Sequence, residues 1–175
     1  HTMVTGLTAG IEFLYKKNKI TRLQGTARIT APGKVSVSDG DDAGDYTAEK
    51  ILIASGSHAS SLPGITIDET MIVSSTGGLT LSSVPKKMVV IGAGYIGLEL
   101  GTVWSRLGAE VEVIEFLPRI LPGMDDEIAK KFMAIAKKQG LKFRMKTAVR
   151  EANAGKTGVT LTVAPADGGD TETIK

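Results

Sequence analysis

The chain contains no cysteine. Neither a disulfide framework nor a thiol redox centre can therefore reside within these 175 residues. An excess of one charge sign is missing too: 21 lysines and arginines face 19 aspartates and glutamates. Lys16, Lys17 and Lys19, then Lys137 and Lys138, read as solvated helix ends, so no nucleic-acid partner is expected. No apolar run reaches bilayer-spanning length, and the opening residues lack the charged, apolar and small-residue order of a signal peptide. No membrane contact is expected. His1 and His58 are the only histidines and neither has a second ligand at metal spacing, so no metal site is expected.

What is present is concentrated in Val89-Val90-Ile91-Gly92-Ala93-Gly94-Tyr95-Ile96-Gly97. A run of β-branched residues enters the spacing G-x-G-x-x-G, and Leu98 to Leu107 continue as an amphipathic helix. Strand, glycine turn and helix in that order make a dinucleotide-binding turn. The first glycine permits the tight turn, the second lets backbone approach the pyrophosphate, and the third lets helix and strand pack closely. Phosphate then meets unpaired N–H groups at the positive end of the helix. Val111 to Glu115 reads as the next strand. Glu115 ends it about twenty residues past the glycines, where a carboxylate accepts hydrogen bonds from the adenosine ribose. A carboxylate there repels a 2′-phosphate and favours NAD over NADP. Arg119 stands four residues on and is the alternative, a receiver for that phosphate, but it lies in a loop after Pro118.

Elsewhere the pattern is simpler. Leu7, Ile11 and Leu14 mark one face of a helix over residues 5–18. Ile20 to Gly25, Ala27 to Thr30, Lys34 to Ser38 and Tyr46 to Ala54 read as strands of a small antiparallel meander. Residues 55–85, rich in Ser, Gly, Thr and Pro, read as a connection rather than a core element. Asp125 or Asp126 caps a helix through Gln139, with Ile128, Phe132, Ile135 and Ala136 on its buried face. Gly140 stops it, Leu141 to Met145 is a third strand, and Val149 to Asn153 with Val159 to Val163 form a hairpin. The expected fold class is α/β: an incomplete Rossmann-like βαβαβ unit preceded by a helix and a small antiparallel β-meander.

Other signals have plain explanations. Gly155-Lys156-Thr157 lacks the earlier glycine of a P-loop, since Arg150 occupies that position, and it reads as a surface turn. Met124, Met133 and Met145 read as core fillers. Asp41, Asp42 and Asp45 lack calcium-loop spacing. Ser55, Ser57, Ser60 and Ser61 lack a nucleophile elbow and a base.

Lys50 to Ser57, Leu62-Pro63-Gly64-Ile65, Ile72 to Gly77 and the stretch Pro85 through Asp126 carry a further signal. Together with Gly101, Trp104, Arg106-Leu107-Gly108 and Glu115-Phe116, they resemble the central part of the dihydrolipoamide dehydrogenases, flavoprotein pyridine nucleotide-disulfide oxidoreductases. The resemblance implies that residues 1–65 close an FAD domain, 66–84 are a crossover linker, and 85–175 open an NAD-binding domain. It implies NAD contacts at Gly92, Ala93, Gly94, Tyr95, Ile96, Gly97, Leu98 and Glu99. It further implies a ribose contact at Glu115, packing of Val149 near the adenine, and FAD contacts at Ala27, Ser55, Gly56 and Ser57. Glu99 has two readings, a residue turned toward nicotinamide and flavin or a surface carboxylate favoured by the helix dipole. Tyr95 has two as well, a lid over the flavin or simple packing at the helix start. Ala54-Ser55-Gly56 stands where the family usually has A-T-G, which keeps the hydroxyl and loses a methyl.

The family's activity is the reoxidation of protein-bound dihydrolipoamide through a C-x-x-x-x-C disulfide and FAD to NAD, with a His–Glu pair from the partner subunit. This chain offers no catalytic residue of that set: it has no cysteine, and His1 and His58 lie outside the matching positions. The resemblance implies a parent homodimer that serves the lipoyl domains of 2-oxo-acid dehydrogenase complexes, in the mitochondrial matrix or in bacterial cytoplasm. The piece alone is expected to bind NAD weakly or not at all, to be inactive and to self-associate through exposed strands. The alternatives are a related flavoprotein disulfide reductase, an NADH oxidase, or a stand-alone NAD-binding module.

Overall fold

The computed structural model describes residues 2–175; His1 lies outside the described residues. The chain divides into two compact units, residues 1–56 and 57–175.

The first unit begins with helix α1 (Thr2–Lys17), whose last turn carries Lys16 and Lys17 where the helix dipole is negative. Leu7, Ile11 and Leu14 share a face as their spacing predicts, yet all three are exposed. Strands β1 (Thr26–Ala31), β2 (Lys34–Ser38) and β3 (Gly44–Thr47) follow as an antiparallel meander in that order. Gly33 turns β1 into β2 at φ +70°, a conformation that costs other residues more.

Two strand expectations fail here for one reason. Ile20 to Gly25 pairs with no strand; Gln24 N–H instead donates to the Asp42 carboxylate at 2.8 Å. Tyr46 to Ala54 is a strand only to Thr47, and the Ile51-Leu52-Ile53 run beyond it is exposed and irregular. A continuous apolar run is a strand for a sheet covered on both faces, and no such neighbours exist for it among the described residues.

The second unit is built on a parallel sheet of β4 (Lys87–Ile91), β5 (Glu110–Ile114) and β6 (Lys142–Arg144). Helix α3 (Tyr95–Leu107) joins β4 to β5, and α4 (Asp126–Lys138) joins β5 to β6. Leu98, Trp104, Ala129 and Ala136 of these helices share one core with Val90, Val111 and Val113 of the sheet. The residues of opposite parity, Val89 and Ile114, pack instead with Ala152, Leu161 and Val163. These belong to an antiparallel sheet of β7 (Thr147–Gly155), β8 (Gly158–Pro165) and β9 (Glu172–Ile174). The unit is therefore three layers, helices on sheet on meander. Arg144 ties them at one edge, its Nε donating to Glu112 at 3.1 Å and its Nη1 to Glu172 at 2.6 Å. Lys156 and Thr157 form the turn between β7 and β8.

Three further expectations need correction. Residues 55–85 contribute to the core: Ile65 and Ile72 join the meander-side cluster and Leu81 the helix-side one. A short helix, α2 (Ser75–Gly78), lies in this segment, capped by Ser74 and held by Trp104 Nε1–H donating to Gly78 O at 2.9 Å. Met124 is exposed while Met133 and Met145 pack on the core. On α4, Ile128, Phe132 and Ile135 face solvent, and Ala129, Met133 and Ala136 meet the sheet. Strand β9 is an addition, too short to leave a periodicity. Among the described residues no helix is long and apolar enough to cross a membrane.

Asp68 organises the entry to α2. The N–H groups of Thr70, Ile72 and Met71 all donate to its carboxylate and hold its pKa at about 2, below the ordinary 3.8. A carboxyl depressed on folding stabilises the fold above its unfolded pKa and loses that contribution as pH falls through the folded value. An NMR titration of the Asp68 carboxyl carbon is expected to show a midpoint near 2, with the loop amides of residues 70–72 shifting in the same step. The α4 correction has its own test by urea unfolding. Ala136→Leu should destabilise the chain by about 1–3 kcal/mol through overpacking, whereas Ile135→Lys should stay within about 0.5 kcal/mol.

Candidate functional site

The carboxyl ends of β4 and β5 come out level because the strands pair in parallel with Ile91 opposite Ile114. Gly92 extends that ladder by one bond, its N–H donating to Ile114 O at 2.8 Å, and then leaves the sheet at φ +100°. Ala93 is completely buried. Its N–H donates to Glu115 Oε2 at 2.6 Å and its carbonyl accepts from Leu121 N–H at 2.9 Å. Gly94 is the N-cap of α3 in extended conformation, and its carbonyl accepts the first helical bond from Leu98 N–H at 3.0 Å. No side chain caps this helix. The first-turn amides of α3 thus stand at its positive end without a protein anion.

The three glycines serve different needs. Gly92 requires its residue type by positive φ. A Cβ at Gly97 would come within 2.5 Å of Gly92 O and 3.0 Å of Val90 Cγ1, so this glycine lets helix, turn and strand approach. A Cβ at Gly94 would meet no heavy atom within 4 Å, and φ there is an ordinary −73°. Among the described residues neither backbone angle nor a steric neighbour requires glycine at position 94, where it serves as the N-cap.

Glu115 is the buried charged residue of this unit, 7% exposed. Besides Ala93 it serves a second amide, Leu117 N–H, which donates to Oε1 at 2.8 Å. Its own backbone joins the neighbouring strands: its N–H donates to Arg144 O and its carbonyl accepts from Thr147 N–H, each at 2.9 Å. The carboxylate therefore sits in the crevice at the strand ends, beside the glycine turn, where open α/β sheets bind ligands.

Around this centre the remaining candidates separate. Leu98 is buried in the helix-side core. Tyr95, Ile96 and Glu99 are exposed on the first turns of α3. Val149 is half-buried and packs on the cluster that contains Ile114. Arg119 is drawn away from Glu115: it pairs with Asp126, and its Nη2 donates to Met124 O. Ala27 lies exposed on β1; Ser55 and Gly56 end the first unit and Ser57 begins the second, all in irregular, exposed backbone. Sequence reasoning did not find Leu121, whose amide fixes the far side of Ala93. It adopts φ +51°, and no residue pattern signals that conformation.

Chemically, the arrangement offers amides and a helix dipole to an anion and a carboxylate to hydroxyl donors. A second phosphate beside Glu115 would face its charge. The donor set fits a dinucleotide diphosphate with its adjacent ribose.

The chain is similar to several known proteins. The chain is 54% identical over 168 residues to "Dihydrolipoyl dehydrogenase 1, mitochondrial" of Arabidopsis thaliana, covering 95% of this chain and 33% of that protein. It is 52% identical to a leghemoglobin reductase of Vigna unguiculata, covering 95% and 32%. It is 49% identical to dihydrolipoyl dehydrogenase 3 of Pseudomonas putida, covering 98% and 37%. The chain thus spans about a third of the length of the curated relatives it matches. The fold is shared with the crystal structure of LpdA from Mycobacterium tuberculosis at a TM-score of 0.80 and 21% identity, over 98% of this chain and 38% of that one. With the model of the pyridine nucleotide-disulphide oxidoreductases matching residues 2–174, the chain belongs to that family.

Proposed function

We propose that this chain is the part of a dihydrolipoyl dehydrogenase that receives NAD. The observation that carries the reading is the start of α3, where Gly94 is the N-cap, no side chain accepts from the first-turn amides, and a Cβ at position 94 would meet no described heavy atom within 4 Å. A diphosphate lying against the first-turn amides is what a side chain at that position would obstruct. Gly92, Ala93, Gly94, Tyr95, Ile96, Gly97, Leu98 and Glu99 would line the NAD site, with Glu115 on the adenosine ribose and Val149 near the adenine. The nicotinamide, when bound, accepts a hydride; the residues of this chain bind and orient it. Glu115 and the engagement of Arg119 by Asp126 support NAD over NADP.

The remainder of the proposal concerns the longer protein. Ala27, Ser55, Gly56 and Ser57 would touch FAD, with residues 1–65 closing the FAD domain, 66–84 crossing over and 85–175 opening the NAD domain. The redox disulfide and the His–Glu pair would come from residues outside this chain, which alone would not turn over. The parent would act as a homodimer on the lipoyl domains of 2-oxo-acid dehydrogenase complexes, in the mitochondrial matrix or, for a bacterial source, the cytoplasm. A leghemoglobin reductase remains the second reading because a relative of that name matches nearly as well.

Two outcomes test the reading. In an NMR titration with NAD, the amides of residues 92–97 and 115 should shift, and Gly94→Ala should weaken the binding at least about tenfold while costing the fold no more than about 1 kcal/mol, the difference between glycine and alanine as N-cap. Gly97→Ala should instead destabilise the fold itself, by about 1–3 kcal/mol. Gly94→Ala chains that bind NAD like the parent would remove the basis of the assignment. The second outcome concerns association: β4 is an apolar strand at the edge of its sheet, and Ile51 to Ile53 are exposed. Light scattering should show a mass that rises with concentration; a constant monomer mass refutes it.

A further inference from the structure

We infer that Glu115 is a positioning residue for the glycine turn, clamping the Ala93 amide and so setting the shape of the phosphate-binding backbone before any nucleotide arrives. Ala93 is the one residue of the turn with no exposure at all, and it is held from both sides. Glu115 Oε2 takes its N–H at 2.6 Å, and Leu121 N–H takes its carbonyl at 2.9 Å. The second carboxylate oxygen is tied to Leu117 N–H at 2.8 Å, at the start of the same loop that carries Leu121. One carboxylate therefore joins the end of β5, the loop of residues 116–124 and the turn between β4 and α3. Among the described residues no lysine or arginine forms an ion pair with it; its charge is met by two backbone amides. Bonds from amides to an ionised acceptor are the stronger kind, and breaking one here leaves a buried N–H without a partner.

Each carboxylate oxygen retains a further lone pair, so ribose hydroxyls can be accepted without release of the turn. This last point rests on the proposed NAD site; the clamp itself does not. The two roles have opposite electrostatic signs. As a charge, Glu115 opposes a phosphate in the crevice; as an acceptor, it shapes the backbone that holds one. Replacing it to admit a 2′-phosphate would remove both effects together, so cofactor preference and turn geometry are coupled at this position.

Glu115→Gln and Glu115→Ala separate the roles, because both are neutral and only the first keeps an acceptor. Amide hydrogen exchange at Ala93 and Leu117 is measured on the 175-residue chain without nucleotide, followed by titration with inorganic pyrophosphate, which lacks ribose. In Glu115→Ala both amides are expected to exchange at least about tenfold faster than in the parent, and in Glu115→Gln one of the two, since a single carbonyl oxygen replaces two. Pyrophosphate is expected to bind Glu115→Ala several-fold more weakly than Glu115→Gln. Parent-like exchange in both variants overturns the clamp, as does measurable pyrophosphate binding of equal strength by the two. Should Glu115→Ala not fold, exchange in Glu115→Gln decides the matter. Absence of pyrophosphate binding in all chains would count against the nucleotide site and leave the exchange result to judge the clamp.

Discussion

A single hydrogen bond, from Ala93 N–H to Glu115 Oε2, holds together what the sequence separates by 22 residues. It exists because β4 and β5 run in the same direction and in register, so that their ends are level. Parallel pairing in turn requires a crossover, and α3 supplies it with a length that returns the chain beside its starting point. Shift that register by one residue and the turn loses its acceptor, the carboxylate its amide, and the two cores exchange faces. The site and the fold of the second unit thus depend on the same alignment.

The parts of the structure legible in the sequence were those with a local cause. Asp125 is one of the two caps the sequence offers for α4, and its side chain accepts from Glu127 and Ile128 N–H. Gly108 and Gly140 end their helices at φ +113° and +102°, as glycine following an apolar helix should. The spacing of Gly92, Gly94, Gly97 and Glu115 was enough to expect a glycine turn beside a strand-end carboxylate, and the two meet through Ala93 N–H. What was not legible depends on partners that lie elsewhere. A strand is only a strand if another pairs with it, so Ile20 to Gly25 and Lys50 to Ala54 carried the right residues and formed none. Leu121 likewise has its effect through a backbone amide, which leaves no trace in residue type.

The rotated face of α4 shows a different limit: Ala136 is buried as expected, but its buried neighbours are Ala129 and Met133. Counting hydrophobicity favours Ile128, Phe132 and Ile135, the larger apolar residues. Size favours the adjacent side. Ala129 and Ala136, 2% and 1% exposed, let the helix lie close against the sheet, where longer side chains would hold it off. Close packing selected the small residues for the interior, and the moment of the helix does not record that preference.

The three helices of the second unit also differ in how they begin, and the difference is informative. Helix α2 is capped by Ser74 and α4 by Asp125, each accepting from amides of the first turn. Such a cap contributes about 1 kcal/mol relative to alanine. Helix α3 begins with Gly94 and no side-chain acceptor, although a Cβ there would meet no heavy atom within 4 Å. Among the helices of the second unit, that stabilisation is forgone in α3, whose first turn follows the glycine turn beside Glu115. A side-chain cap present twice and absent once, at the carboxyl ends of the strands, leaves the first-turn backbone donors of α3 free for an anion.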